Sequence, residues 1–243
     1  MDWHARYLEQ AQWTAQLRAY LFNKIGLGFS KKVLELGCGT GAVLNNFPLK
    51  SGVHGLDINR LALKQAAQNA PDIQFTCGDG ADLPFVAAAF DVVFCHFVLL
   101  WTEDPLRVVA EMSRVTRKGG IVLALAEPDY GGRIDYPAEL AELGRWQRES
   151  LQNQGADPVM GRKLAGTFNQ AGLKQVETGI IGGEWRNDIL LGGHEMEWQV
   201  LIDDLSGRVP LQDIRNLEAM DRLTRERGER VLYIPTFYAW GVV

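Results

Sequence analysis

A short glycine-dense segment carries the strongest chemical signal in the sequence. Residues 33–41 read Val-Leu-Glu-Leu-Gly-Cys-Gly-Thr-Gly, an apolar run that leads directly into three glycines at alternate positions. Glycine allows positive φ angles and lets a ligand approach where a Cβ atom would collide. A helix that starts after such a turn offers unpaired N–H groups to a ligand. The segment therefore predicts a strand, a tight turn and a site for a nucleotide-like ligand.

Two acidic residues follow later apolar runs. Asp57 comes directly after residues 53–56 and sixteen residues after Gly41. At that position a carboxylate can accept hydrogen bonds from both hydroxyls of a ribose. Asp79 lies within residues 78–85, which read Gly-Asp-Gly-Ala-Asp-Leu-Pro-Phe. Open α/β sheets bind ligands at the carboxyl ends of their strands, so both carboxylates are expected beside the glycine turn.

Short apolar runs alternate with helical stretches along the chain. Strands are predicted at residues 32–36, 53–56, 73–76, 92–96, 121–126, 173–181 and 236–243. Helices are predicted at residues 3–24, 42–46, 60–69, 105–116, 137–152 and 162–171. Asp104 is the expected N-cap of the fourth helix, with Pro105 at its first position. Strands that alternate with helices run parallel, which predicts an α/β layered sheet.

The composition of the 243 residues excludes several classes of protein. Hydrophobic residues make up 47% and charged residues 23%, which is ordinary for a globular domain and excludes disorder. A net charge of -5 argues against a nucleic-acid partner. The apolar run at 92–101 is far shorter than the roughly 20 residues that span a bilayer, so no membrane partner is expected. Residues 1–14 lack the apolar run of a signal peptide, so no export is predicted.

Three cysteines, Cys38, Cys77 and Cys95, form no close pair in the sequence. An odd number cannot all be paired within one chain, which favours a reduced, cytoplasmic compartment. Each lies near the carboxyl end of a predicted strand, where small buried filler is the expected role rather than a reactive thiolate.

The domain organisation is predicted from the spacing of these elements. Residues 1–29 form an N-terminal helical cap, and residues 30–243 form the α/β domain. About fifty residues, 182–235, separate the last two strands and predict an inserted cover over the sheet. Within it, residues 221–230 alternate in charge, which predicts a solvated helix face.

In order and spacing these motifs resemble the class I S-adenosylmethionine-dependent methyltransferases, in particular the small-molecule branch similar to quinone-biosynthesis C-methyltransferases. The resemblance covers residues 31–127 motif by motif and the C-terminal strands more loosely. It implies a Rossmann-like seven-stranded sheet of order 3-2-1-4-5-7-6, with the last strand antiparallel. It also implies S-adenosyl-L-methionine as cofactor and in-line methyl transfer to a small-molecule acceptor, which the sequence does not identify. The oligomeric state stays open.

The resemblance assigns cofactor contacts residue by residue. The E-x-G-x-G-x-G pattern is met by Glu35, Gly37, Gly39 and Gly41. In the family this loop packs against the methionine part and the ribose. The cofactor contacts implied in this way belong to Glu35, Gly37, Cys38, Gly39, Asp57, Ile58, Asp79, Gly80, His96 and Phe97.

Within that set, the nucleoside end of the cofactor is implied to lie at the second and third strands. Asp57 would hold the ribose hydroxyls while Ile58 packs on the adenine. Asp79 would accept from the exocyclic amine, and Gly80 would donate its N–H to the ring.

The methionine end is implied to lie near the fourth strand and the first helix. The carbonyl of His96 would face the amino group, with Phe97 beside it. On the first helix, Tyr7 and Arg18 stand where relatives place an aromatic or basic group against the cofactor carboxylate. Core packing for Tyr7 and a solvated charge for Arg18 stay open as alternatives.

A general base is required only if the acceptor must lose a proton. Candidates near the strand ends or under the cover are His96, Glu127, Asp129, Tyr130 and His194. A hydrogen-bonded core histidine is the plainer interpretation of His96, and an exposed loop histidine that of His194. Residues 194–198 lack the second histidine of a zinc-binding helix, so no metal is predicted.

Other functions remain as alternatives. An NAD(P)-dependent oxidoreductase would also use Gly37, Gly39 and Ala42 in a G-x-G-x-x-A pattern. The third glycine at Gly41 and the motif at 78–85 count against it. A nucleic-acid or protein acceptor is a further alternative. The Asn/Asp-Pro-Pro-Tyr/Phe motif of base-amine methyltransferases is absent after the fourth strand, and the acidic balance without an appended basic domain favours a small or lipid-like acceptor. A non-catalytic S-adenosylmethionine-binding protein stays open.

Overall fold

The computed structural model describes residues 3–29, 32–48, 51–180 and 194–243. In these ranges the strands are β1 (Val33–Leu36), β2 (Val53–Asp57), β3 (Gln74–Cys77), β4 (Phe90–Cys95), β5 (Thr116–Pro128), β6 (Ile134–Tyr136), β7 (Lys174–Ile180), β8 (Val231–Tyr233) and β9 (Thr236–Val242). The α-helices are α1 (Trp3–Trp13), α2 (Ala15–Lys24), α3 (Arg60–Asn69), α4 (Pro105–Val115), α5 (Ala141–Asn153), α6 (Leu164–Gln170), α7 (His194–Leu205) and α8 (Leu211–Glu226). None of the helices described is long and apolar enough to cross a membrane.

Seven strands form one sheet in the order β3-β2-β1-β4-β5-β9-β7. The first five run parallel to one another, and β9 runs antiparallel to both β5 and β7. When only the seven strands of this sheet are numbered along the chain, β7 is the sixth and β9 the seventh, and the order is the predicted 3-2-1-4-5-7-6. The numbering along the whole chain differs because β6 and β8 pair separately as a short antiparallel ribbon. The α/β fold class is confirmed, whereas the ribbon strands were not predicted because three residues are too few to show a period.

Two predicted helices differ from the structure. The stretch 3–24 is helical but breaks at Thr14 into α1 and α2. The prediction of a helix at 42–46 is wrong, because that segment is a turn followed by a single 3₁₀ turn at Leu44–Asn46. Phe47 is extended (φ −68°, ψ 140°), as residues before proline usually are, and Pro48 therefore stops any longer helix. The Asp104 N-cap is confirmed, since its carboxylate accepts the N–H of Arg107 at 2.9 Å.

Apolar side chains cover both faces of the sheet. All four residues of β1 are buried. Leu34 and Leu36 belong to a cluster that includes residues of α4 and α6, while Val33 belongs to a cluster on the opposite face with residues of α2 and α3. Since successive side chains of a strand point to opposite faces, Glu35 points to the same face as Val33. A charged residue thus lies on the α2 side of the core.

The described part of the predicted cover is helical. Residues 182–193 lie outside the described residues, and α7, α8 and β8 make up most of the remainder. Trp198 and Leu201 of α7 pack with Leu143 of α5 and Ile214 of α8 in a third apolar cluster. These contacts attach α7 and α8 to the helix that follows the ribbon strand β6.

Buried charges join α8 to the ribbon. Asp221 Oδ2 accepts from Arg225 Nε at 2.8 Å and from Trp198 Nε1 at 3.1 Å, while Oδ1 accepts from Arg230 Nε at 2.5 Å. Arg230 also bonds Asp135 of β6 at 2.7 Å. Asp221, Arg225 and Arg230 are at most 7% exposed, so the prediction of a solvated face is wrong for these three. Asp221 pairs with both arginines, and Glu197 and Asp135 supply further carboxylates to Arg225 and Arg230, so the buried charges are paired.

We expect Asp221→Ala to destabilise the protein strongly. The substitution removes the carboxylate that both buried guanidinium groups share, so that Arg230 keeps only Asp135 and Arg225 keeps only the more distant Glu197. Breaking buried ion pairs in this way costs about 3–5 kcal/mol of unfolding free energy. Denaturant titration of the wild type and the variant measures this loss. Glu142→Ala is the matched control because it breaks an exposed ion pair with Arg145, and it should change stability far less. Equal, small losses in the two variants would contradict the structural role of Asp221.

Candidate functional site

The glycine turn after β1 has the backbone conformation that its sequence predicts. Gly37, Gly39 and Gly41 have φ angles of 69°, 52° and 79°. A Cβ atom on Gly37 would lie 2.4 Å from a methyl group of Val98, so a larger residue cannot replace it without a shift. The N–H groups of Gly37 and Cys38 both donate to the carbonyl of Leu56, at 2.7 and 3.0 Å. The turn is therefore held against the end of β2.

Asp57 ends β2 and is bonded directly to the turn. Its Oδ2 accepts from the N–H of Gly39 at 2.7 Å, and its Oδ1 accepts from Asn59 at 2.8 Å. A carboxylate has about four acceptor positions, so two bonds leave capacity for a pair of ligand hydroxyls. Ile58, the next residue, is 72% exposed. A large apolar side chain left open beside a carboxylate is suited to contact a flat ring.

Asp79 and Gly80 lie further along the same edge. Asp57 is paired with Cys77 in the register of β2 and β3, and Asp79 follows two residues later. The side chain of Asp79 is exposed, and its Oδ1 accepts from Ala81 at 2.8 Å. A Cβ atom on Gly80 would be 3.2 Å from Leu36, the last residue of β1. The structure thus brings the glycine turn, Asp57 and Asp79 together at the carboxyl ends of the parallel strands β1, β2 and β3.

Glu35 is a buried carboxyl group with an unused acceptor atom. It is 2% exposed, and its Oε2 has no hydrogen-bond partner among the described residues. Burial raises the pKa of Glu35 to about 8, although the nearby Arg18 acts in the opposite direction. Such an atom is costly to bury unless a donor pairs with it. The residue fits a site that receives a cationic or hydrogen-donating ligand group.

Arg18 and His96 meet at the break between α1 and α2. Arg18 Nη1 donates to the hydroxyl of Thr14 at 2.8 Å and also to the carbonyl of Ala11. The same hydroxyl is 2.8 Å from Nε2 of His96. Burial, and next the charge of Arg18, lowers the pKa of His96 to about 3. A ring that binds protons so poorly and is already hydrogen-bonded argues against His96 as the general base.

Helix α1 lies over the glycine turn. The ring of Tyr7 is 3.5 Å from the position that a Cβ atom on Gly39 would occupy. Burial raises the pKa of the Tyr7 hydroxyl, and the charge of Asp57 raises it further. His4 Nδ1 is 2.7 Å from the hydroxyl of Thr40, which belongs to the same turn. Phe97 has a positive φ of 56° and its ring lies 4.4 Å from that of His96. The predicted residues Tyr7 and Phe97 thus lie at the turn and beside His96.

Glu127 has a structural task that the sequence does not reveal. It is fully buried, and its two oxygens accept the backbone N–H groups of Val98, Leu99 and Leu100 at 2.9–3.1 Å. Burial raises the pKa of Glu127 to about 7, and these donors act against that shift. Because both oxygens are occupied in holding the segment after β4, the geometry argues against Glu127 as a general base.

The remaining base candidates differ in their surroundings. Asp129 is occupied, since its carboxylate accepts from Arg162 at 2.5 and 2.8 Å and from the N–H of Gly131 at 2.9 Å. His194 begins α7, but its side chain lies outside the described residues.

Tyr130 differs from these candidates because ionisable groups of several elements act on its pKa. Burial raises its pKa, Arg133 and Arg6 lower it, and Asp204 and Glu197 raise it further.

The cysteines match their prediction in two of three cases. Cys38 and Cys95 are buried, and burial raises the pKa of both thiols, so neither is a thiolate at neutral pH. The prediction is wrong for Cys77, which is exposed because β3 is the edge strand of the sheet. All three are free thiols.

Thr14, Arg6 and Glu197 are site residues that sequence reasoning missed. Thr14 stands inside an uninterrupted helical pattern, and Arg6 is one of several charges on the same helix. Glu197 lies on α7, 67 residues after Tyr130 along the chain. No short-range pattern indicates that Thr14 reaches His96 or that the charges of Arg6 and Glu197 act on Tyr130, since only the folded chain brings these groups near one another.

Comparison with known proteins agrees with this geometry. A family described as a methyltransferase domain matches residues 34–124. Demethylmenaquinone methyltransferase of Lysinibacillus sphaericus is 31% identical over 165 residues, which cover 60% of this chain and 70% of that protein. The enzyme of the same name from Renibacterium salmoninarum is 32% identical over 49% of this chain and 51% of its own length. The chain thus spans about half the length of the first curated relatives it matches.

A solved structure supports the fold. Phosphoethanolamine N-methyltransferase 2 of Haemonchus contortus, in complex with phosphomonomethylethanolamine and S-adenosylhomocysteine, superposes with a TM-score of 0.62 at 16% identity. The match covers 97% of this chain and 57% of that one. Together with the coverage of the Lysinibacillus relative, the glycine turn and the acidic residues at the sheet edge, this shows that the chain belongs to the class I S-adenosylmethionine-dependent methyltransferases, on the branch related to quinone-biosynthesis enzymes.

Proposed function

We propose that this protein transfers the methyl group of S-adenosyl-L-methionine to a small-molecule acceptor. The observation that carries the proposal is the junction of the glycine turn, the Asp57 carboxylate and the unpaired oxygen of Glu35 at one sheet edge. When bound, the cofactor supplies a methyl group on a positively charged sulfur. The chain itself has to bind, orient and shield the reactants.

The nucleoside half of the cofactor is assigned to the edge formed by β2 and β3. Asp57 would accept hydrogen bonds from the ribose hydroxyls with the acceptor positions that Gly39 and Asn59 leave open. Ile58 would cover one face of the adenine, which accounts for the exposure of its side chain. Asp79 and Gly80 would recognise the edge of the ring through the side-chain carboxylate and the backbone N–H.

The amino-acid half is assigned to the space between β1 and α2. Gly37, Cys38 and Gly39 would contact the middle of the cofactor through their backbones. Glu35 would face the ammonium group, and Arg18 would face the carboxylate. The two side chains already lie near each other, since Arg18 lowers and burial raises the pKa of Glu35. The ammonium group and the carboxylate of the cofactor would therefore each face a side chain that can carry the opposite charge.

Alignment and exclusion of water are the other tasks of the chain. In-line displacement needs the reacting atoms about 3–3.5 Å apart in a fixed orientation. Glu127 holds the segment 98–100 through three backbone bonds, and Val98 of that segment packs against Gly37. Helix α1 lies across the turn through Tyr7. These contacts would keep the methyl group oriented and shield it from solvent.

Tyr130 is our candidate for contact with the acceptor. Arg6 of α1 and Glu197 of α7 both act on its pKa, so the charges of these two helices lie within electrostatic range of the hydroxyl. A hydroxyl among charged groups can donate to or accept from an acceptor that loses a proton. His194, at the start of α7, remains a second candidate.

The proposed setting is a small or lipid-like acceptor in the cytoplasm. The free thiols support a reduced compartment, and the net charge of -5 does not favour nucleic acid. Among the relatives, the printed names point to a quinone precursor in one case and an amino lipid in another. We propose residues 1–29 as the cap and residues 182–235 as the cover of this acceptor site.

We expect Asp57→Ala to weaken binding of S-adenosylhomocysteine by about 30- to 150-fold, the effect of losing charge-assisted hydrogen bonds worth about 2–3 kcal/mol. Calorimetric titration measures the affinity. Asp72→Ala, at an exposed position before β3, is the matched control and should bind like the wild type. An unchanged affinity in Asp57→Ala would contradict the ribose assignment. A second assay incubates the protein with S-adenosylmethionine and a panel of small molecules and measures the S-adenosylhomocysteine that forms. Formation of this product distinguishes a methyltransferase from a protein that only binds the cofactor.

We also expect cofactor binding to release a proton from Glu35. With a pKa of about 8, Glu35 is mostly protonated at pH 7 in the free protein, and a neighbouring ammonium group favours its carboxylate form. The pKa of Glu35 is thus lower in the complex, and affinity should rise with pH up to about 8. Titration of S-adenosylhomocysteine at pH 7 in phosphate and in Tris measures the protons released. The Glu35→Gln variant should release fewer, and an unchanged number would rule out Glu35 as their source.

A further inference from the structure

Thr14 interrupts the N-terminal helix but does not cap the second half. It precedes α2, where a threonine normally accepts an N–H of the first helical turn. Its side chain makes no such bond. Thr14 is instead 5% exposed, and its hydroxyl lies 2.8 Å from both Arg18 Nη1 and His96 Nε2. The hydroxyl also lies 3.3 Å from the carbonyl oxygen of Ala11 in the last turn of α1. The side chain therefore connects α1, α2 and the sheet without capping α2.

The contact leaves one edge of the Arg18 guanidinium available. Both of its hydrogen bonds, to Ala11 and Thr14, use Nη1. Within the described part of the chain, Nε and Nη2 make no hydrogen bond. These two nitrogens form a planar pair that can bind a carboxylate with two parallel bonds. The bond to Thr14 thus selects which edge of Arg18 is presented to a ligand.

His96 completes the arrangement from the sheet side. It follows β4, whose Cys95 pairs with Leu36 of β1, so it lies at the same edge as Glu35. A threonine hydroxyl has one proton to donate and two positions to accept. The hydroxyl proton has two acceptors within reach, Nε2 of a neutral His96 and the carbonyl of Ala11, and with either one an oxygen lone pair of Thr14 accepts from Arg18. An imidazolium here would repel Arg18, and burial keeps the pKa of His96 low.

We propose that Thr14, held by His96, is a positioning residue that aims the Nε–Nη2 edge of Arg18 at the carboxylate of the cofactor's amino-acid end. The inference rests on the proposed function, because it assigns the ligand of that same site. It predicts selectivity: Thr14 should matter for ligands that carry the amino-acid part and should not matter for ligands that lack it.

The test compares two ligands by calorimetry on the full chain. S-Adenosylhomocysteine carries the amino-acid part, and 5′-methylthioadenosine lacks it. Thr14→Val removes the hydroxyl but keeps the shape, and should weaken S-adenosylhomocysteine by about tenfold while 5′-methylthioadenosine changes less than about twofold. Thr14→Ser keeps a hydroxyl and should restore the affinity. Adding Thr14→Val to Arg18→Gln should cause little further loss, because both act through one contact.

A second variant covers the case in which Thr14→Val does not fold. His96→Phe keeps an aromatic ring without Nε2, and should show the same selective loss for S-adenosylhomocysteine. Equal weakening of both ligands, or unchanged affinity for S-adenosylhomocysteine, would overturn the positioning role. These outcomes differ from failure of the proposed function, in which the wild type itself would bind neither ligand.

Discussion

The hydrogen bond from the Gly39 N–H to the Asp57 carboxylate joins the glycine turn after β1 to the end of β2, where we propose the ligand site. It requires a positive φ at Gly39 and the parallel register that sets β1 beside β2. Once it forms, the acidic end of β2 is fixed relative to the glycine turn. The positions of the adjoining Ile58, and of Asp79 two residues after β3, then follow from the pairing of the strands. Most of the nucleoside site thus depends on one backbone-to-carboxylate contact.

Buried charge organises the rest of the molecule, and it does so in two ways. Around Asp221 the charges are paired, which attaches α8 to the ribbon and to Trp198 of α7. The buried carboxyl group of Glu35, in contrast, has an oxygen without a hydrogen-bond partner among the described residues, near the half-buried Arg18. Completed pairs stabilise a fold, whereas an incomplete one marks where a ligand supplies the missing group. This contrast distinguishes the scaffold from the site within a single chain.

The sequence predicted those features that depend on local chemistry. Seven strands, the Asp104 cap and the positive φ angles of the glycine turn follow from periodicity, capping and the absence of a side chain. Contacts between residues far apart in the chain could not be predicted from the sequence. The burial of Asp221 depends on Arg230 and Asp135, which come from different elements. The roles of Glu127 and Thr14 likewise arise only when β5 and the N-terminal helices meet the end of β4.

Titration of the wild-type protein with S-adenosylmethionine, S-adenosylhomocysteine and NADH, in parallel, tests the central claim most directly. The glycine turn and Asp57 are compatible with either cofactor class, whereas Glu35 and Arg18 together suit an amino-acid zwitterion. The account predicts that the two adenosyl ligands bind at one per chain and that NADH does not. Binding of NADH without binding of either adenosyl ligand would contradict it and would indicate a dehydrogenase.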